Sequence, residues 1–408
     1  MRTQLNPERL SPQDKDLAES ILRTCVHCGF CNATCPTYQL SGDENEGPRG
    51  RIYLIKQMLE GKEVTSATRD HLDRCLTCRN CETTCPSGVK YSQLLDIGRK
   101  TVETLSERTF KERLTRKALR TILPYRMRFS PLFSLGRVFK PLLPQSIKKK
   151  IPKKVAKGHL PISEHQRKML ILDGCVQPAL SPDINAAMAR VLDKCGISLI
   201  ATKKAGCCGA VSQHLSAEAE ALTFMKNNID AWWPDIESGA EAIVMTASGC
   251  GSMVKDYAHH LQHDPQYAEK AKRISELCKD ISEIISAEVL NNDELGDVFK
   301  PLSNLRKISW HPPCTLQHGQ KINGVVERIL SDIGYELQAV KDSHLCCGSA
   351  GTYSILQPEN AQKLQSNKIK NLQENKPEMI VTGNIGCQTH LQEVSDVPVV
   401  HWIHLLDH

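Results

Sequence analysis

Two rhythms of apolar residues divide this chain. In its first hundred residues the apolar positions recur at helical intervals. Ile52, Ile55, Met58 and Leu59 would share one face of a short amphipathic helix. A second helix is predicted over residues 91–105. From residue 166 onward the rhythm changes to short continuous apolar runs. Leu170-Ile171-Leu172, Ile243-Val244-Met245, Ile308-Ser309-Trp310 and Met379-Ile380-Val381-Thr382 read as buried strands. Helical patterns over 184–194 and 324–333 lie between them. Alternating strands and helices predict parallel, three-layer α/β units.

The strands belong to an internal repeat. Cys175 is followed 32 residues later by Cys207-Cys208-Gly209, and Cys314 is followed 32 residues later by Cys346-Cys347-Gly348. Cys250 comes 42 residues after Cys208, and Cys387 comes 40 after Cys347. In each unit the cysteines follow apolar runs. Loops at the carboxyl ends of parallel strands share one edge of a sheet, where ligands bind in open α/β folds. Cys175, Cys207, Cys208 and Cys250 are therefore expected to converge, and likewise Cys314, Cys346, Cys347 and Cys387.

The helical first part carries a different cysteine pattern, twice. Residues 25–36 and 75–86 both read C-x2-C-x2-C-x3-C-P. This is the ferredoxin spacing for cubane [4Fe-4S] clusters, in which the fourth cysteine of each run ligates the other cluster. The rule assigns Cys25, Cys28, Cys31 and Cys85 to one cluster, and Cys35, Cys75, Cys78 and Cys81 to the other. Paired C-x2-C motifs also hold zinc, but a third cysteine at the same interval and a closing Cys-Pro are not zinc habits. His27 lies inside the first loop and reads as a partly exposed loop histidine.

For the second repeat the spacing leaves three readings: an iron–sulfur cluster, a structural zinc, or a thiol–disulfide pair. Cys195 and Cys278 have no counterpart in the other unit and read as small buried residues.

The fold class expected is thus α plus α/β. A mostly helical two-cluster domain spans 1–110 and a linker spans 111–165. Two repeated α/β cysteine-rich units follow at 166–290 and 300–408.

Charge changes the picture in one place. The chain carries a net +6, yet residues 111–168 hold 17 Lys/Arg against only Glu112 and Glu164, a local +15. The remainder is net acidic. Prolines at 124, 131, 141, 144, 152 and 161 should break any long helix there. Lys148-Lys149-Lys150 and Lys153-Lys154 add a basic run beside apolar Leu132, Phe133, Leu135, Val138 and Phe139. Such a blend suits an anionic membrane surface or an acidic partner. Nucleic acid is not expected, because few aromatics accompany the basic residues and no reader motif is present.

Eighteen cysteines in 408 residues, grouped in metal-ligand spacings, argue for reduced thiols in the cytoplasm rather than a disulfide scaffold. The first twenty residues lack the apolar core of a signal peptide, and no apolar stretch is long enough to span a membrane. There is no P-loop. Gly249-Cys250-Gly251-Ser252-Met253-Val254 begins like a dinucleotide fingerprint but lacks its third glycine. Without a two-electron cofactor of its own, such a chain is expected to take single electrons from a flavin in another chain.

The tandem cluster runs and the two CCG units resemble the iron–sulfur electron-transfer subunits of membrane-associated dehydrogenases. That group includes the C subunit of anaerobic glycerol-3-phosphate dehydrogenase, the B and C subunits of heterodisulfide reductase, and the glycolate oxidase iron–sulfur subunits. Likeness to the last runs nearly end to end. It is carried by Cys25 to Cys31, Gly47-Pro48-Arg49-Gly50-Arg51, Asp73 to Cys81, Asn227 to Pro234 and Asp342 to Tyr353.

The resemblance implies a complex in which FAD-bearing partner subunits oxidise glycolate to glyoxylate. This chain would relay the electrons towards membrane quinone from the inner face of the cytoplasmic membrane. Glycerol 3-phosphate, lactate or a disulfide are the alternative substrates the wider group offers. In the heterodisulfide reductase relatives each CCG unit ends in C-x2-C and can hold a further cluster. Here those last positions are Met253 and His390, which leaves four cysteines per unit and makes His390 a candidate ligand.

Overall fold

The computed structural model describes residues 2–142, 148, 151–152, 154–289, 293–301 and 307–408. Lys149, Lys150 and Lys153 of the basic run lie outside the described residues. Contacts divide the chain into two compact units. One comprises Met1–Ala118, Gln213–Ser216 and His344–Lys368. The other comprises Leu119–Ser212, Ala217–Ser343 and Ile369–His408.

The first unit is helical. Helix Pro12–Thr24 opens with a Ser11 hydroxyl that accepts from the Asp14 amide, followed by proline in the first turn. Helix Pro48–Leu59 buries Ile52, Ile55, Met58 and Leu59, the four positions that predicted it. Helix Tyr91–Leu105 has the predicted bounds and buries Leu94, Leu95 and Val102. These two helices approach closely. A Cβ on Gly98 would stand 2.7 Å from Cγ1 of Ile55, so glycine is required by space rather than by backbone angle.

The linker is more regular than its prolines suggest. Helices Phe110–Ile122 and Arg126–Val138 occupy it. Pro124 falls between them as expected, but Pro131 lies inside the second. The first helix is started by a capping box, in which the Thr109 hydroxyl accepts from the Glu112 amide while Glu112 Oε2 accepts from the Thr109 amide. Met127, Leu132, Leu135 and Val138 are exposed.

The second unit contains two sheets among the described residues, each of four strands. The first uses β1 (Arg167–Ile171), β2 (Ile197–Ala201), β3 (Ile243–Met245) and β4 (Cys278–Asp280) in the order β2-β1-β3-β4. The second uses β5 (Lys307–His311), β6 (Glu336–Leu337), β7 (Met379–Thr382) and β8 (Val399–His401) in the order β6-β5-β7-β8. Every pairing is parallel. The internal repeat is thus a repeat of topology, and the apolar runs are strands covered on both faces. Helices Asp183–Lys194 and Val325–Asp332 are the crossovers the sequence predicts.

Both sheets share one hydrophobic core, which includes Ile171, Val244, Ile308, Trp310 and Val381. Polar contacts join the strand ends. His401 Nε2 lies 2.9 Å from the Thr246 carbonyl, and the Ser248 hydroxyl lies 2.8 Å from that of Thr315.

Candidate functional site

The two cysteine runs fold as matching loops in the first unit. Each passes through the left-handed region at the same two places. His27 (φ 56°) and Gly29 (φ 84°) do so in the first, Thr77 (φ 54°) and Arg79 (φ 59°) in the second. Such turns aim successive backbone amides at one point, as around iron–sulfur and phosphate groups. The Thr77 amide points at Cys75 Sγ, 3.5 Å away. Each loop ends in a short helix, Phe30–Ala33 and Asn80–Thr84.

Two recesses lie against these loops. The first, about 430 Å³, is lined by Cys25, Cys28, Cys31 and Cys85, with Cys81 also in its wall. The second, about 380 Å³, is lined by Cys35, Cys75, Cys78 and Cys81. Each therefore collects three cysteines of one run and the last cysteine of the other. The donor set is sulfur, and in the first recess it is set among apolar Val26, Pro48, Ile52 and Val89. Burial pushes the Cys25 and Cys81 thiols up and holds Cys31 at about 11, with the charges of neighbouring cysteines adding to the effect. Thiolates so placed need a bound cation, and a polynuclear iron centre with four thiolate ligands meets that need. The residues present fit such a group.

The surroundings of the two recesses differ. Beside the first, Arg49 is half-exposed and held by Glu44 through bonds of 2.6 and 3.0 Å. Beside the second, Arg51 and Arg99 are buried, and Tyr91 donates its hydroxyl to Cys75 Sγ at 3.7 Å. Asn80 donates to the carbonyls of Thr34 and His344, at 3.0 and 3.1 Å. It thereby ties both loops to the segment carrying Cys346 and Cys347. Tyr353, on that segment, is buried within charge range of both Cys75 and Cys346; burial first, then those sulfurs, push its hydroxyl up. Sequence reasoning identified the cysteines but missed Asn80, Arg99 and Tyr353.

In the second unit the first group of repeat cysteines comes together. Cys175 follows β1, Cys207 and Cys208 follow β2, and Cys250 lies on helix Ser248–Lys255 after β3. β2, β1 and β3 are neighbours in the sheet, and the chain reverses direction across it at β1. This is a topological switch point. Side-chain hydrogen bonds run from Cys175 to Cys207, on to Cys208 and on to Cys250. The bonds from Cys207 and Cys250 hold the Cys208 thiol well below its ordinary value, while its partners are pushed up.

Asn228 braces this group. It accepts from the Gly206 amide at 2.8 Å and donates to the Cys207 carbonyl at 2.8 Å and the Tyr257 hydroxyl at 3.0 Å. Cys278 is buried at the start of β4, and burial pushes its thiol up. Cys195 is half-buried at a helix end, its thiol pushed up to about 11 by burial.

The second group of repeat cysteines is divided by the unit boundary. Cys346 and Cys347 belong to the first unit; Cys314, Cys387 and His390 belong to the second. Cys346 Sγ accepts from the Gly348 amide at 3.5 Å, as Cys207 Sγ does from Gly209 at 3.4 Å. His390 is buried one turn beyond Cys387 on helix Ile385–Gln392. A ring nitrogen of His311 lies within 4.8 Å of Cys387 Sγ, a histidine the sequence reading passed over. Its signal was there: His311 ends β5 three residues before Cys314.

Comparison with known proteins matches these regions. Residues 21–89 match the 4Fe-4S dicluster domain, and residues 169–255 and 308–392 each match the Cysteine-rich domain CCG. The glycolate oxidase iron-sulfur subunit of Escherichia coli (strain K12) is 54% identical over 409 residues, covering 100% of this chain and 98% of that one. The probable glycolate oxidase iron-sulfur subunit of Bacillus subtilis (strain 168) is 28% identical over 95% of this chain and 92% of its own. More distantly, a fumarate reductase (CoM/CoB) subunit of Methanothermobacter marburgensis is 24% identical over 98% of this chain and 74% of its own.

Proposed function

The chain belongs to the family of glycolate oxidase iron–sulfur subunits, and on that premise we propose that it relays single electrons from flavin-bearing partner subunits of a glycolate-oxidising complex towards membrane quinone. The observation that carries this reading is the pair of four-cysteine recesses in one compact unit. Cys25, Cys28, Cys31 and Cys85 would hold one [4Fe-4S] cluster, and Cys35, Cys75, Cys78 and Cys81 the other. The clusters supply one-electron redox chemistry. The residues around them fix the ligands, exclude water and set the charge each centre feels.

The CCG cysteines extend the proposed path. Cys207 and Cys208 are only 2% and 4% exposed. A disulfide substrate has no access to them, and thiol–disulfide exchange requires access. A bound cluster or metal at Cys175, Cys207, Cys208 and Cys250 suits their burial better. For the second repeat, Cys314, Cys387 and His390 remain candidate donors in the second unit, joined there by the nearby imidazole of His311, and Cys346 and Cys347 remain candidates in the first.

No described helix is long and apolar enough to cross a membrane. Contact with the membrane is proposed through helix Arg126–Val138, which exposes Met127, Leu132, Leu135 and Val138 among Arg126, Arg128 and Arg137. Attraction of this kind is screened by salt.

The test is purification with native partners, followed by iron analysis and spectroscopy of Cys35→Ser and Cys85→Ser. Two cubanes give about eight irons per chain, and occupied CCG units give more. Each substitution should damage the cluster of the opposite run. Loss confined to the local cluster would reject the crossed ligand sets. Purification without any flavoprotein partner, or zinc in place of iron, would reject the relay.

A further inference from the structure

The two cluster sites share a loop geometry but not an electrostatic setting. Reducing a cluster adds one negative charge, so nearby fixed positive charge raises its potential, most strongly where water is excluded. At the first site the nearby cation, Arg49, is 38% exposed and chelated by Glu44. Its charge is neutralised by that carboxylate and screened by solvent.

At the second site Arg51 is 1% exposed. It donates to the Thr37 hydroxyl at 3.0 Å, and that oxygen lies 3.3 Å from Cys35 Sγ. Its carboxylate partner, Glu46, is shared. Glu46 receives Arg51 at 2.8 Å, Arg74 at 2.7 Å and His71 Nδ1 at 2.7 Å. Glu46 thus divides its one negative charge between buried Arg51 and Arg74, the latter 39% exposed and screened by solvent as Arg49 is. Arg99, buried as well, approaches from the other side and donates to neutral acceptors: the carbonyls of Cys75 at 2.7 Å and Leu72 at 2.9 Å, and the Thr77 hydroxyl at 3.0 Å. Arg51 and Arg99 against the single carboxylate of Glu46 leave a surplus of buried positive charge at the second site, opposed in part by Glu82, whose charge reaches Cys81.

We propose that Arg51 and Arg99 make the centre held by Cys35, Cys75, Cys78 and Cys81 the stronger electron acceptor of the pair. An electron arriving at the first centre passes to the second, oxidising one and reducing the other, with no bond made or broken. The second centre is also the one that Asn80 and Tyr353 join to the Cys346 segment, so the downhill step points along the chain's own onward path. This inference rests on the two-cluster reading above.

The experiment is an anaerobic redox titration of the full chain followed by electron paramagnetic resonance. The centre of higher potential should be the one abolished by Cys75→Ser. Arg51→Gln should lower that potential by at least a tenfold shift in its reduction equilibrium, 59 mV for one electron. Glu46→Gln, which keeps shape and hydrogen bonding but removes the countercharge, should raise it. Arg51→Lys should restore it, and the other centre should stay fixed throughout.

A merely structural role predicts that Arg51→Gln and Glu46→Gln shift the potential in the same direction, since both break one ion pair. That result overturns the proposal, as does a higher potential at the first centre. If Arg51→Gln fails to assemble, the Glu46→Gln and Arg99→Gln shifts, upward and downward, carry the same test. Wild-type chain with no cluster signals would sink the two-cluster reading itself. Intact clusters with unmoved potentials would sink this inference alone.

Discussion

The cysteine loops of the first unit and the cysteine group of β1–β3 in the second solve one problem by opposite means. In the loops, three sulfurs come from seven consecutive residues, and two left-handed backbone positions aim them. In the sheet group, sulfurs from positions 175 to 250 meet only because three neighbouring strands end at one edge. A loop site carries its geometry in local sequence, whereas a sheet site borrows it from tertiary packing. The first should survive injury to the sheet, and the second should not.

The strongest way to test that contrast is to remove the brace of the sheet group. Asn228→Ala deletes three buried hydrogen bonds and leaves the Gly206 amide and Cys207 carbonyl without their partner. At about 1–3 kcal/mol for each stranded group, a loss of roughly 3–5 kcal/mol is expected. Denaturant titration followed by fluorescence measures it, because Trp232, Trp233, Trp310 and Trp402 all lie in the second unit. The visible absorption of the loop clusters should persist past that transition. Simultaneous loss of both signals would erase the contrast.

Acid provides a milder test. His401 is fully buried between Thr246 and Ile403, and burial lowers its pKa from 6.5 to about 3. Its folded pKa lies below its unfolded one, so the neutral ring's contribution is complete above pH 6.5. It is lost progressively as pH falls from 6.5 towards 3. The slope is about 1.4 kcal/mol per pH unit, or roughly 2 kcal/mol by pH 5. In the first unit, Asp73 is held below its ordinary 3.8 by Arg108 and Arg116 against the opposing effect of burial. That contribution is present above pH 3.8 and is lost only below it. Asp280 of the same unit, its pKa raised by burial to about 6, acts in the opposite direction as pH falls below 6, so the difference between wild type and His401→Gln in tryptophan fluorescence near pH 5 isolates the histidine, and the variant should lack its share of the acid weakening. An unchanged slope in that variant would exclude His401 as its cause.

The smallest effect concerns one loop. Gly29 has φ 84°, and a Cβ there would stand 2.7 Å from Arg49 Nη1. Gly29→Ala should cost about 1–2 kcal/mol and push Arg49 away from Glu44. The sheet-held cysteines should not respond, and thermal melts read at both chromophores would show whether they do.

The same contrast explains what was legible in the sequence. The eight loop cysteines could be read by spacing alone, and helix Tyr91–Leu105 by its apolar face. The parallel sheets were legible because buried strands are apolar on both faces. Arg51 and Arg99 were not, because nothing in a local pattern says that a guanidinium will be buried beside a distant cysteine. His311 stands 76 residues before Cys387 in the chain and meets it only through the pairing of β5 with β7. The linker misled in another way. Its prolines were read as breaking any long helix, yet only Pro124 among them falls between the two helices, and the Thr109–Glu112 capping signal was passed over.

The inclusion of His344–Lys368 in the first unit has a consequence for how the protein is made. A domain emerging from the ribosome normally folds once its own residues are out. Here the cysteine loops are finished early, but their compact unit lacks a wall until residue 368 of 408 has emerged. At about 5–20 residues per second, that wall arrives roughly 10–50 s after residue 118. For that interval the nascent loops stand without the late segment, and Asn80 lacks the His344 carbonyl that it holds in the finished fold.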